Sequence, residues 1–232
     1  MKIGIDLNEV TVAFKLLSVY EMNIKRSAIQ LLSGKISGNV SELLALKDIS
    51  LSITPGERVV ISGQNGAGKT TLLRVISGAL PPSKGSVSVS GRILSLLGGP
   101  GESLDPQITG HANVFRLGIL LGENPKSMRK LLPDIEEFSG LKDRLNTVVA
   151  TYSSGMAARL RFSIITALRP QILIVDEGIA STADHEFASR ARQRLNELRA
   201  RVEIVVWTSF GTTLDGLETR KLKLESGRLI EL

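Results

Sequence analysis

Eight residues, Gly63-Gln64-Asn65-Gly66-Ala67-Gly68-Lys69-Thr70, carry the spacing G-x-x-x-x-G-K-[ST] without a mismatch. Such a stretch can cradle a phosphate chain, because its glycines let backbone N–H groups turn inward and a helix beginning there adds positive potential. Lys69 would reach the β- and γ-phosphates of a nucleotide, and the Thr70 hydroxyl would ligate Mg2+. A second chemically capable group closes the run Ile172-Leu173-Ile174-Val175-Asp176-Glu177. A buried strand ending in two acids delivers them to the carboxyl edge of a parallel sheet, where a phosphate loop also sits. Asp176 would hold Mg2+ through water, and Glu177 would act as general base on the attacking water. The plainer reading of the pair is a strand end followed by helix-capping carboxylates. A third stretch, Tyr152-Ser153-Ser154-Gly155-Met156, opens a helix. Ser153 or Ser154 can cap that helix, and the same hydroxyls and N–H groups can contact a phosphate.

These residues need a sheet and helices to hold them. Val59-Val60-Ile61 is a short β-branched run, expected as the buried strand before the loop, and Thr71 to Ile76 is helix-compatible up to Gly78. Upstream, residues 6–20 mix strand-forming valines with Phe14 and Tyr20. Residues 21–41 are polar and read as a long hairpin or mobile loop. Leu44, Leu46, Ile49, Leu51 and Ile53 alternate as a strand entering the turn at Pro55-Gly56. Downstream, Ser86 to Ser90 is a period-two strand, and Leu94 to Leu97 a short one before the loop Gly98-Gly99-Pro100-Gly101. Residues 110–144 have a helical pattern punctuated at Pro125 and Pro133, and a helix is expected over 156–168, stopped by Pro170. Phe187, Ala191, Leu195 and Leu198 mark an amphipathic helix with arginines outside. Val205-Val206-Trp207 reads as a core strand, and Ser226-Gly227 joins a terminal hairpin.

Composition narrows the class further. The chain has 232 residues, 42% hydrophobic and 22% charged, enough for one large α/β domain or two small ones. It has no cysteine, so a disulfide framework is excluded. The first residues lack the apolar core of a signal peptide, and no stretch approaches a membrane span. The net charge of +6 suits nucleic acid, an anionic surface or simple solvation, but with 4% aromatics no base-stacking platform is expected.

Phosphate loop, Ser-Ser-Gly-Met loop and Asp-Glu strand, in this order, resemble the ATP-binding subunit of ABC transporters over nearly the whole chain. Thr109 to Val114, Thr151 to Leu160 and the polar insertion before Ala45-Leu46-Lys47-Asp48 are most similar to the polysaccharide exporters of that family, which export capsule, O-antigen or teichoic acid. The resemblance implies one nucleotide-binding domain over 1–232, with a P-loop NTPase core and parallel sheet, an N-terminal antiparallel β subdomain and an inserted helical subdomain at about 105–165. It implies an ATPase using ATP and Mg2+, at the cytoplasmic face of the membrane, with an integral-membrane permease as partner and no nucleic acid. It also implies a head-to-tail homodimer in which each ATP lies between Gly63–Thr71 of one subunit and Ser153, Ser154, Gly155 and Met156 of the other.

By the same resemblance Phe14 would stack on adenine. Tyr20 is the alternative stacker, and a core aromatic is the competing reading of Phe14. Asp184 would act across the dimer, or would cap the helix containing Phe187. Two positions depart from the family. Ser209-Phe210 stands where a Ser-His is usual, and phenylalanine can neither donate a hydrogen bond nor carry charge. The glycine loop at 98–101 lacks the usual glutamine, with Gln107 the nearest. The Phe210 departure leaves two readings open, a slow ATPase and an ATP-dependent clamp or regulatory subunit with little hydrolysis. A soluble ABC ATPase acting on DNA or ribosomes is disfavoured, because the chain has one cassette and no long coiled-coil insertion. The chain ends just after the terminal hairpin, so no appended carbohydrate-binding domain is expected and substrate choice would lie in the permease.

Overall fold

The computed structural model describes residues 3–16, 41–97, 103–176, 185–209 and 218–232. Two long strands, β1 (Gly4–Leu16) and β2 (Ser41–Ile53), pair antiparallel, and β4 (Lys84–Ser90) joins on the far side of β1. In both long strands the buried apolar set changes parity: Ile5 and Leu7 give way to Val10 and Val12, and Leu46 to Ile49, Leu51 and Ile53. A strand's side chains alternate strictly, so each change requires an extra residue to keep both halves on the core. Glu9 (φ 49°) and Asp48 (φ 50°) supply it, beside breaks in the register. The Thr11 hydroxyl locks the bulge, donating to Asp48 Oδ1 at 3.0 Å while accepting the Asp48 N–H at 3.1 Å. The alternation expected through Leu44 fails at that residue, which is 43% exposed opposite Ala13, near the ends of the two paired strands.

The second sheet has the order β5-β6-β7-β3-β8-β9, in which β5 (Ile93–Leu96), β6 (Ile172–Val175), β7 (Ile204–Ser209), β3 (Arg58–Ser62) and β8 (Arg220–Glu225) run parallel. Only β9 (Arg228–Glu231) is antiparallel, as the return of the terminal hairpin. Helices cover both faces of the parallel part, so β6 and β7 are buried along their whole lengths. On one face Val59, Ile61, Ile172, Ile174 and Val206 pack with Leu72, Leu73 and Ile76 of α1 (Lys69–Ile76) and with the antiparallel sheet. On the other, Val60, Leu173, Val175, Val205 and Trp207 pack against a helical layer. That layer comprises α2 (Gly110–Leu120), α3 (Pro125–Ser139), α4 (Ser154–Ala167) and α5 (His185–Arg201).

The helical stretch expected over 110–144 is two helices and a 3-10 turn, Lys142–Arg144. Pro125 starts α3, where its missing N–H costs nothing, and Asn124 caps it by accepting the Ser127 N–H at 2.9 Å. Pro133, expected as punctuation, lies inside α3 instead. An interior proline costs about 3 kcal/mol, and the full burial of Met128 before it and Ile135 after it holds both halves in one helix.

Two polar devices fasten these layers. Asn113, fully buried on α2, accepts the Asp105 N–H at 2.7 Å and donates to the Asp105 and Thr109 carbonyls at 2.8 and 3.1 Å. Arg220 on β8 joins the sheets: Nη1 donates to the Ser52 carbonyl at 2.8 Å and to Glu57 at 3.2 Å, and Nε donates to Glu231 at 2.8 Å. Partial burial would raise the Glu57 pKa, but the Thr54 N–H and hydroxyl and the Arg220 guanidinium outweigh it and hold it below the ordinary 4.5.

Asn113→Ala is expected to cost about 1–3 kcal/mol by stranding buried backbone groups, read as a fall of several degrees in Tm. Glu57, depressed in the folded state, contributes stability that is complete above its ordinary 4.5 and lost as pH falls through its lowered folded value. Glu57→Gln should therefore lower Tm most near neutral pH, with the gap to the parent closing in strong acid. An acid-side gap as wide as the neutral one would contradict this account.

Candidate nucleotide-binding site

The site forms where β3, β6 and β7 end side by side. Ile61 pairs with Thr208 and Val175 with Trp207, so the carboxyl ends of the three strands share one edge of the sheet. The phosphate loop leaves β3 between β2 and β8. Gly63 (φ 149°) runs so close to β8 that a Cβ would stand 2.4 Å from the Leu224 carbonyl, and one on Gly68 (φ 106°) would stand 2.6 Å from that of Ala45. No side chain fits at either position, which is why the loop needs glycine there. Gly68 enters α1 without a side-chain cap, and the first turn holds no acidic residue. The positive end of that helix is therefore not offset by a capping carboxylate.

Lys69 is buried, and its Nζ donates to the Gly63 carbonyl at 2.6 Å and the Gln64 carbonyl at 3.1 Å. Gln64, Asn65 and Gly66 are exposed at the loop's tip, while Ala67 is buried and Thr71 half-buried in the first turn of α1. Thr70 Oγ1 donates to Asp176 Oδ2 at 2.8 Å. Thr208 Oγ1, from the end of β7, donates to Asp176 Oδ1 at 2.5 Å. The Asp176 backbone N–H is itself held by the Leu96 carbonyl at 3.0 Å. One carboxylate thus joins the phosphate loop, β6 and β7. Among the described residues no cluster of acids or histidines could hold a metal by itself. A hydroxyl beside a carboxylate nevertheless fits Mg2+, which takes few protein ligands and completes its shell from phosphates and water.

The Ser-Gly loop lies on a different element. Ser153 accepts the Met156 N–H at 3.2 Å and caps α4, as its composition allowed. Ser154 is exposed, Gly155 and Met156 are half-buried, and Tyr152 anchors the approach by donating to the Arg144 carbonyl at 2.8 Å. Burial raises the Tyr152 pKa, against smaller opposing effects of Thr147 and Arg144, so it remains a phenol. Thr109, which caps α2, and Gly110, where a Cβ would stand 2.2 Å from the Tyr152 hydroxyl, pack beneath this loop. The stretch singled out at 109–114 therefore builds the support of the Ser-Gly loop.

Phe14 is 39% exposed on β1, which removes the reading of it as a core aromatic. Tyr20, Glu177, Asp184, Phe210, the loop 98–101 and most of 21–41 lie outside the described residues. Thr208 is the residue that sequence reasoning missed. Its signal was the pair of hydroxyl residues, Thr208 and Ser209, closing an otherwise apolar strand, but only the pairing of β6 with β7 shows that Thr208 meets Asp176.

A glycine-rich loop feeding a helix, with a strand-end carboxylate on its threonine, defines a phosphate-loop nucleotide-binding protein. The chain belongs to the ABC transporter family, whose model matches residues 46–180. It is 34% identical to the O-antigen export system ATP-binding protein RfbE of Yersinia enterocolitica over 227 residues, 96% of this chain and 94% of that protein. It is 36% identical to the teichoic acids export ATP-binding protein TagH of Listeria monocytogenes over 174 residues, 75% of this chain and 51% of that protein. The fold matches the dimeric post-hydrolysis structure of the ATP-binding cassette MJ0796 bound to ADP and Pi with a TM-score of 0.69, at 21% identity and over 98% and 97% of the two chains. The chain is an ATP-binding subunit of this family, related to the O-antigen and teichoic acid exporters.

Thr208→Val keeps the side chain's shape and deletes one donor to Asp176. Removing a hydrogen bond that orients a metal-holding carboxylate, the role expected of Asp176, costs about 10–100-fold in metal affinity or activity. A rise of that order in the Mg2+ concentration needed for half-maximal ATP turnover is expected, with the fold intact by circular dichroism. An unchanged Mg2+ requirement would remove Thr208 from the site.

Proposed function

We propose that this subunit couples ATP binding and hydrolysis to export of a cell-surface polysaccharide, of the O-antigen, capsule or teichoic acid class, across the cytoplasmic membrane. The observation that carries the reading is the end-to-end similarity to an O-antigen export protein, 96% of one chain against 94% of the other. The described residues contain no helix long and apolar enough to cross a membrane, so the pathway would be supplied by an integral-membrane permease, with this chain peripheral on its cytoplasmic side. The working unit would be a homodimer, each subunit one nucleotide-binding domain with its helical subdomain at about 105–165. Nucleic acid has no part in it.

Within each site Gly63 to Thr71 would wrap the phosphates, and the Lys69 ammonium would exchange its loop carbonyls for phosphate oxygens. Thr70 and Asp176 would hold Mg2+, which supplies charge neutralisation on the phosphates. Glu177 would take the proton of the attacking water. Ser153, Ser154, Gly155 and Met156 of the second copy would close over the γ-phosphate, with Asp184 acting across the dimer. The exposed ring of Phe14 offers a face for adenine, Tyr20 being the alternative. Phe210 removes the hydrogen-bond donor that the family places near the γ-phosphate, so turnover would be slow.

ATP turnover and ATP binding should be measured in parallel for the parent, Lys69→Ala, Glu177→Gln and Phe210→His. Glu177→Gln is expected to bind ATP and abolish turnover, Lys69→Ala to weaken binding, and Phe210→His to raise the rate. Turnover of the parent no higher than that of Lys69→Ala would leave an ATP-dependent clamp. In cells, Lys69→Ala should abolish the surface polysaccharide, and an undiminished polysaccharide coat would overturn the export reading.

A further inference from the structure

A cleft of about 920 Å3 opens between α3, the end of α4 and α5. Leu168 and Arg169 lie a few residues before β6, and Val202 two before β7, so the cleft reaches the amino ends of strands whose carboxyl ends carry the nucleotide site. Its floor is apolar, with Leu131, Leu168, Leu198 and Val202. Its walls are cationic, with Lys130, Arg169, Arg190, Arg194 and Arg201 against Asp134 and Glu197.

The arginines are arranged along a line. Arg190, Arg194 and Arg201 fall at helical spacing on one side of α5, spread over about 16 Å of its axis. Phe138 of α3 serves as their platform, with the Arg190 guanidinium 4.9 Å and that of Arg194 4.2 Å from its ring centre. The platform is braced by Phe162 of α4 and Phe187 of α5, at 6.1 and 5.4 Å between ring centres. Arg194 also forks onto both oxygens of Asp134, which fixes it as part of the wall. Arg201 meets Glu197 only at 4.0 Å, in a pair whose two side chains are both largely exposed, so its charge is weakly neutralised.

We infer that this cleft is the docking site for an acidic, amphipathic segment of a partner protein. Charges strung along a helix rather than converging on a point suit an elongated anion, not a single phosphate. An apolar floor, with Asp134 and Glu197 in the walls, opposes a continuous phosphodiester backbone and accepts a helical peptide whose apolar stripe is flanked by carboxylates. The carboxylates pair with Lys130, Arg169, Arg190 and Arg201, and an apolar side chain seats against Leu131 and Leu198. The inference is independent of how fast the nucleotide turns over.

The probe is a fluorescent helical peptide with leucines at i, i+3, i+4 and i+7 and glutamates elsewhere, titrated against the full chain. Saturable binding is expected, weakened by added salt and about tenfold or more by the double variant Arg190→Glu/Arg201→Glu, whose ATP turnover matches the parent. A peptide with serine in place of leucine should bind about tenfold more weakly, the loss of its apolar anchors. Should the double variant fail to fold, Lys130→Gln/Arg201→Gln makes the same test with milder changes. Binding untouched by these substitutions overturns the inference. So does displacement of the peptide by tripolyphosphate at equal charge, which would make this a small-anion site, or tighter binding of single-stranded DNA.

Discussion

The carboxylate of Asp176 is the point on which the site depends. It receives the Thr70 hydroxyl from the phosphate loop on one oxygen and the Thr208 hydroxyl from β7 on the other, while its backbone is held by β5 through Leu96. Three strands and the first turn of α1 thus meet at one acid. A shift of the loop would have to break a charge-assisted hydrogen bond in a partly buried place, where such bonds count for more than in water.

That arrangement rests on close backbone contact between the two sheets. The phosphate loop is pressed between β2 and β8 so tightly that Gly63 and Gly68 have no room for a methyl group. β2 is kept at that distance by the bulge at Asp48, which lets a long strand keep its apolar side inward throughout, and by Arg220, which ties the end of β2 to β8 and β9. Residues remote from the loop therefore hold its shape. The helical layer supports the Ser-Gly loop in the same manner, through Thr109, Gly110, Asn113 and Tyr152.

Much of this was legible beforehand. The unbroken apolar runs at 172–175 and 204–207 announced strands covered on both faces, and both are buried throughout. The Ser153 cap and the hairpin around Ser226-Gly227 followed from local chemistry. The misses have a common cause. Pro133 obeys the burial of Met128 and Ile135 rather than its own helix-breaking tendency, and Leu44 lies beyond the reach of the core. Each outcome was decided by neighbours distant in sequence.

By itself the sequence determined the phosphate loop, the acidic strand end, the α/β class and the family, because these depend on spacings within a few residues and on the period of apolar side chains. Only the tertiary structure decided that Thr208 shares Asp176 with Thr70, that Gly63 lies against Leu224, and that arginines of α5 stack on Phe138 of α3. Those pairings join segments tens to more than a hundred residues apart, and a strand order of β5-β6-β7-β3-β8-β9 cannot be computed from local propensity. It is set by which apolar faces can be buried together, a property of the whole chain.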